Sequence, residues 1–156
     1  MSDNPFGDLP SPTHSPVDIM KLFGIVEGLS GYVGEGEVNA ETVEAYAVKE
    51  GHPKGEVYAA LGFDPTLEFK FSHTTKIEVC TGRCQLFGGI QLVDSLLSVR
   101  DARMRDGKSG FDVVPRNCLD LCDFPPVVRT ISEAGNYVHK KVSDDNLTDI
   151  VNAACD

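Results

Sequence analysis

Residues 76–84 read KIEVCTGRC, and residues 118–122 read CLDLC. The first stretch alternates polar and apolar side chains before its cysteines, a pattern that predicts a β-strand ending in a loop. In each stretch, three residues separate two cysteines. The two pairs, Cys80 with Cys84 and Cys118 with Cys122, contain four of the five cysteines of the chain. The fold follows from how the residues between these pairs are arranged.

The residues between the two pairs predict a strand–helix–strand unit. Residues 87–104 predict a helix of about five turns with one apolar face. That face carries Ile90, Val93, Leu96 and Leu97. The pair Asp106-Gly107 indicates a turn, and residues 111–115 predict a second strand. A unit of this length implies parallel strands with a right-handed crossover, so both cysteine pairs leave the same edge of the sheet.

The C-terminal residues predict a hairpin and a final helix. Strands over 126–132 and 136–142 flank a turn around Gly135. Ser143 then caps a helix that reaches the C-terminal region. The predicted fold class is therefore α/β, a layered β-α-β-β-β-α domain of thioredoxin-like type.

The N-terminal residues predict three helices. The first helix covers 16–29, and the glycines that end it are at positions 28, 31, 34 and 36. Asn39 caps the second helix, and the third covers 54–62. A helical bundle of this size buries too little apolar surface to be stable alone. We therefore expect it to precede and support the sheet.

The chain divides into three predicted parts. Residues 1–15 contain prolines among polar residues and show no apolar periodicity, so we expect a flexible N-terminus. Residues 16–65 form the helical segment. Residues 66–156 form the thioredoxin-like domain with both cysteine pairs.

Charge and composition exclude several classes of function. The net charge is −10 and the isoelectric point is near 4.7, so nucleic acid phosphates would be repelled. No apolar run approaches the roughly 20 residues of a membrane-spanning helix. The N-terminus lacks the basic and apolar regions of a secretory signal, so we expect a cytoplasmic protein. Cysteines in that compartment stay reduced rather than forming structural disulfides.

Two other features predict no specific function. Arg100, Arg103, Arg105 and Lys108 follow one another at helical spacing, and we expect them to form a solvated helix face. Cys155 has no second cysteine near it, so we expect a free surface thiol at the C-terminus.

Four convergent thiolates can serve more than one kind of site. A 2Fe-2S cluster takes four thiolates, with two on each iron. Structural zinc also takes four, although two or four residues usually separate its paired cysteines. A redox dithiol is a third option, but the C-x-x-C motif of thioredoxins is absent. The pattern favours iron–sulfur and leaves zinc and the dithiol open.

Several short motifs around the cysteines resemble those of a known family. The matching residues extend from about Glu56 to Ala154. They include the entry strand at 77–80, Cys84 with its following Gly88, Asp106-Gly-Lys108, and Pro126-Val-Val128 after the last cysteine. In these positions the chain resembles the thioredoxin-like 2Fe-2S ferredoxin family. That family includes the small iron–sulfur subunit of NADH:quinone oxidoreductases and of NAD-linked hydrogenases and formate dehydrogenases.

The resemblance implies a cofactor, its ligands and a function. Cys80, Cys84, Cys118 and Cys122 would bind a 2Fe-2S cluster. The chain would transfer electrons as a ferredoxin-like carrier or redox subunit, without a catalytic site of its own. Two departures stand out, namely three residues rather than the usual four within the first pair, and Asp120-Leu121 in place of Gly-Ala.

Two alternative functions remain beside the simple carrier. One is the 2Fe-2S subunit of an NAD-linked or electron-bifurcating dehydrogenase or hydrogenase complex. The other is a zinc-stabilised interaction module. The expected partner is a redox protein, and a flavin-bearing subunit is one candidate. Residues 16–63 carry more apolar positions than a small bundle needs, so they would pack on such a partner, on their own sheet or in a homodimer.

Overall fold

The computed structural model describes residues 12–64, 67–116 and 124–156. The helices in these ranges are α1 (Ile19–Val33), α2 (Ala40–Glu50), α3 (Lys54–Phe63), α4 (Gly89–Arg105) and α5 (Asp144–Cys155). The strands are β1 (Lys76–Cys80), β2 (Asp112–Arg116), β3 (Val128–Ser132) and β4 (Gly135–His139). A 3₁₀ helix, Arg83–Phe87, precedes α4. None of the described helices has the length and apolar character needed to cross a bilayer.

The four strands form one sheet in the order β2-β1-β3-β4. β1 and β2 are parallel, with Cys80 opposite Arg116. β3 is antiparallel to β1 and to β4, and a turn at Gly135 joins β3 to β4. These strand directions and the connection through α4 are those of a thioredoxin-like domain. The predicted α/β class, its β-α-β-β-β-α order and the preceding helical bundle are confirmed.

The first helix lies further along the chain than its predicted span of 16–29. Asp18 caps its first turn by accepting the N–H of Met20 at 2.8 Å. Gly28 lies inside the helix because α1 packs there against Tyr46, and a Cβ at Gly28 would lie 2.0 Å from the Tyr46 phenol oxygen. The helix ends at Gly34, whose φ of +60° favours glycine. The local sequence suggests that the helix ends at Gly28, but this glycine is present because α1 and α2 pack closely there.

The predicted caps of α2 and α5 are correct, and both strands of the hairpin are shorter than predicted. Asn39 caps α2 in a reciprocal arrangement with Thr42, and Ser143 caps α5 in the same way with Asn146. β3 begins at Val128 rather than at residue 126. β4 ends at His139, whereas the sequence predicts a strand to residue 142. Lys141 has a φ of 49°, which is incompatible with extended backbone and explains the early end.

The N-terminal helices and the sheet share one apolar core. Its fully buried members include Leu29 of α1, Val43 of α2, Val57 of α3, Ile77 of β1 and Val151 of α5. Apolar contacts therefore cross the predicted boundary between residues 65 and 66. The helical segment covers the face of the sheet that also receives α4 and α5.

Two glycines allow α3 to approach its neighbours closely. A Cβ at Gly55 would lie 2.4 Å from the carbonyl oxygen of Ile90 in α4. A Cβ at Gly62 would lie 3.0 Å from the Cβ of Pro115 in β2. The Gly55 N–H donates to Asp94 Oδ1 at 2.8 Å, and burial raises the pKa of the Asp94 carboxyl. The position of α3 thus depends on backbone contacts that larger residues would prevent.

Two arginines of α4 are buried, so the prediction of a solvated face is wrong for them. Arg100 is 8% exposed and donates to both oxygens of Glu44, at 2.6 and 2.9 Å. Arg103 is 5% exposed and donates to Asn152 and Asp156, each at 2.7 Å. Their partners come from α2 and from the C-terminal end of the chain. Helical spacing within α4 carries no information about these distant groups.

Substitution of Gly55 by alanine should destabilise the fold. The new Cβ would clash with the Ile90 carbonyl, so α3 has to move away from α4. We expect a loss of about 1–3 kcal/mol in the free energy of unfolding. Urea unfolding measures the effect.

Gly24→Ala in α1 provides the matched control, because a Cβ there has no neighbouring atom within 4 Å. This change should leave the protein unchanged or stabilise it by up to about 1 kcal/mol, since alanine favours a helix over glycine. Equal losses for the two variants would contradict the close contact between α3 and α4.

Candidate metal centre

Cys80 and Cys84 lie together at one end of the sheet. Cys80 is the last residue of β1, and Cys84 belongs to the 3₁₀ helix that follows. Each is 2% exposed, and together with Val127 they form a small buried cluster. The Cys80 N–H donates to the Val127 carbonyl at 3.3 Å. The first predicted pair is therefore a pair of buried sulfur groups at the carboxyl end of a strand.

Cys118 and Cys122 lie outside the described residues, but the residues on both sides of them border the first pair. Arg116 is opposite Cys80 in the parallel register, and its carbonyl accepts the N–H of Thr81 at 2.8 Å. On the other side, the chain resumes at Phe124 and reaches Val127, which packs with both cysteines. The convergence of all four cysteines stays a prediction.

Two adjacent glycines bring the beginning of α4 against the first pair. Gly88 has a φ of +91° and ends the 3₁₀ helix. A Cβ at Gly89 would lie 2.6 Å from the Cys80 carbonyl oxygen and 2.9 Å from that of Cys84. The start of α4 therefore lies directly against the backbone of both cysteines. Gly88 is one of the residues in the family resemblance, whereas only the structure shows that Gly89 contacts both cysteines.

The described residues supply half of a four-thiolate site. Within 12–64, 67–116 and 124–156, no group of three or more His, Cys, Asp or Glu side chains is arranged to hold a metal ion. Cys80 and Cys84 contribute two closely placed sulfur donors, which suit iron in a 2Fe-2S cluster or zinc. The residues present therefore fit such a centre if the other two donors come from the segment that begins after Arg116.

The structure shows a buried carboxylate next to the first cysteine pair that is not among the predicted site residues. Glu78 precedes Cys80 by two positions on the same side of β1 and is only 1% exposed. Arg116 of β2 donates to one of its oxygens, and Arg129 of β3 donates to the other. The two arginines offset the cost of burying the carboxylate charge. The sequence hints at this residue only through the presence of a charge within a predicted strand. Its partners cannot be identified in the same way, because they are 38 and 51 positions away.

Cys155 is a free thiol, as predicted, but it is partly buried rather than fully at the surface. It lies in the last turn of α5 and packs in part against the apolar core. Burial raises the pKa of its thiol, which keeps it in the protonated form. The C-terminal helix therefore includes this residue, and the structure places it apart from the first cysteine pair.

Comparisons with known proteins give structural likenesses at low sequence identity. No protein-family model matches the chain, and no curated protein matches it in sequence. A thioredoxin-like [2Fe-2S] ferredoxin from Aquifex aeolicus overlaps with a TM-score of 0.44 and 15% identity, over 51% of this chain and 78% of that one. A second structure of the wild-type ferredoxin from the same organism gives 0.42 and 15%, over 52% and 84%. The thioredoxin-like arrangement is a property of this chain's own sheet, in its strand order and its parallel pairing of β1 with β2.

Replacement of Glu78 by glutamine should weaken the sheet next to the first cysteine pair. The neutral amide cannot balance both arginines, and its NH₂ group would face a guanidinium donor. We expect a loss of about 1–3 kcal/mol in the free energy of unfolding.

Glu37→Gln is the control, because Glu37 pairs with Lys70 while their side chains remain 58% and 66% exposed. An exposed pair of this kind contributes at most about 1 kcal/mol. Chemical unfolding of both variants compares the two sites. A loss at Glu37 as large as that at Glu78 would show that burial of the Glu78 carboxylate is not decisive.

Proposed function

We propose that the chain binds a 2Fe-2S cluster through Cys80, Cys84, Cys118 and Cys122 and transfers electrons, as a ferredoxin-like carrier or redox subunit. The burial of Cys80 and Cys84 at the end of β1 carries this proposal. The described residues on both sides of the second pair border the same place. A 2Fe-2S cluster requires four thiolates, a number that the two pairs supply.

A bound cluster would supply one-electron redox chemistry. Cys80 and Cys84 would provide two thiolates from a rigid strand end and a short helix. Val127 would exclude water from one side of these sulfurs, since it packs directly with them. The close contact of α4 at Gly89 would hold the backbone of both cysteines in place. We place this function in the cytoplasm, where thiols remain reduced.

A second candidate function is the 2Fe-2S subunit of an NAD-linked or electron-bifurcating dehydrogenase or hydrogenase complex. One observation favours it, namely apolar residues that remain exposed at the start of α1. Ile19 is 50% exposed, Met20 70% and Phe23 46%. Such a group of apolar side chains suits a permanent protein interface. Co-purification of the native protein with a flavin-bearing subunit would support this candidate, and a native protein that purifies alone would oppose it.

Metal analysis provides the first test of the proposed cofactor. Protein purified without oxygen should contain about two irons and two acid-labile sulfides per chain, since four thiolates complete one cluster. Reduction with dithionite should produce a rhombic S = 1/2 EPR signal. Stoichiometric zinc without iron, after expression with ample iron and sulfur, would show that the site is a zinc module instead.

Serine substitutions test the four ligands. Serine at Cys80, Cys84, Cys118 or Cys122 should each weaken or abolish the visible absorption of the cluster, because each change removes one thiolate from iron. Cys155→Ser is the matched control and should leave the spectrum unchanged. Loss of colour in Cys155→Ser, with full colour in one of the other four variants, would contradict the ligand set.

A further inference from the structure

The two faces of the sheet have different surroundings. Ile77 and Val79 of β1 lie on one face and belong to the apolar core with the helices. Glu78 alternates with them and lies on the opposite face, where the register places Arg129 of β3 beside it and Val138 of β4 beside Arg129. Val138 is 47% exposed, so this opposite face meets solvent near β4.

Exposed cations gather at the end of the sheet that carries the first cysteine pair. Arg116 and Arg129 contact the buried Glu78, yet their side chains remain 51% and 42% exposed. Lys140 and Lys141 follow the last residue of β4 and are both exposed. Their ammonium groups lie 4.8 and 5.6 Å from the ring centre of Phe124. We call these four cations and the Phe124 ring the cationic patch.

The cationic patch borders the proposed metal centre. Arg116 is opposite Cys80 in the sheet. The Lys141 N–H donates to the Phe124 carbonyl at 2.9 Å, and Phe124 precedes Val127 by three residues. Three interstrand spacings separate β2 from β4, so the patch spans about 14 Å.

The patch has the opposite sign to the whole protein. Its four cations and the carboxylate of Glu78 give a net charge of +3. Because the total charge is −10, the rest of the chain carries a net charge of −13. Two acidic residues, Asp144 and Asp145, begin α5 directly after the patch, and Asp144 lines the same surface pocket as Lys141. A net positive charge is thus concentrated beside the site of the first cysteine pair, on a protein whose total charge is negative.

We infer that the cationic patch is the docking site for an acidic redox protein, a conclusion that rests on the electron-transfer function proposed above. Carboxylates on such a partner would be attracted to the patch and would orient the two proteins with this end foremost. Phe124, which is 42% exposed, and Val138 add apolar area of the kind found at the centres of interfaces.

The dimensions of the patch favour a protein partner over an extended polyanion. Charges more than about 8–10 Å apart are largely screened at ordinary ionic strength. A compact protein with local carboxylates can therefore contact the patch while the remaining negative surface of this chain is screened. A nucleic acid or an anionic membrane extends well beyond the 14 Å patch and would meet that negative surface.

Charge reversal at the two lysines provides the test. The variant Lys140→Glu/Lys141→Glu changes the patch and leaves Arg116 and Arg129 in place to balance Glu78. The control, Lys49→Glu/Lys108→Glu, changes the net charge equally at exposed positions outside the patch. Lys49 is also a close match because, like the two patch lysines, it lies near an aromatic ring. Its ammonium group is 5.1 Å from the ring centre of Tyr32.

The electron-transfer readout uses an acidic flavodoxin and the basic cytochrome c as probes. Stopped-flow mixing with the reduced full-length protein, at about 0.01 M and about 0.15 M salt, measures the second-order rate constants. At low salt, the patch variant should reduce flavodoxin about tenfold more slowly and cytochrome c faster, while the control stays within about twofold of the unmodified protein. Equal effects of both variants, or no effect of either, would overturn the docking site.

A binding measurement separates this inference from the cofactor assignment. Fluorescence anisotropy of labelled flavodoxin reports association whether or not the chain contains iron. Lysine-dependent binding by a protein without iron would support the docking site and refute the electron-transfer function. An iron-containing protein that binds flavodoxin equally well in both variants would refute the docking site alone. Lysine-dependent binding to phosphatidylserine vesicles, without binding to flavodoxin, would replace the protein partner with a lipid surface.

Discussion

The parallel pairing of β1 with β2 is the constraint on which the rest of the candidate site depends. It places Cys80 opposite Arg116, so the segment with the second cysteine pair begins beside the first. A shift of register by one residue would move Glu78 to the helix-covered face and Val79 away from it. Contacts at Gly62 and Gly89 hold α3 and α4 close to this strand pair. Helix packing and strand register are therefore parts of the same arrangement.

The buried Glu78 connects the interior of the sheet to its surface. An uncompensated carboxylate in this position would cost several kcal/mol, and the two flanking arginines reduce that cost by direct hydrogen bonds. Because Arg116 and Arg129 remain partly exposed, they also supply positive charge to solvent. One interaction thus stabilises the strand next to Cys80 and contributes to the charge of the surface around it.

The N-terminal helices have a structural role that sequence reasoning describes only in part. Their caps and apolar faces are predictable because these depend on residues within one or two helical turns. The contact of Gly28 with Tyr46 joins α1 to α2, and that of Gly55 with Ile90 joins α3 to α4. Neither contact has a local signal, and the first of them explains why the local sequence predicts an end at residue 29 for a helix that continues to Val33. The same limitation explains why the burial of Arg100 and Arg103 was missed.

By itself, the sequence determined the α/β class, the order of the strands and helices, and the placement of Cys80 and Cys84 at a strand end. These features depend on periodicity and turn residues, which act over a few positions. The tertiary structure alone decided which charges are buried and which surface carries the cationic patch. Glu78, Arg116 and Arg129 meet only because three strands pair in one register. Contacts between residues so far apart along the chain leave no periodic pattern in the sequence.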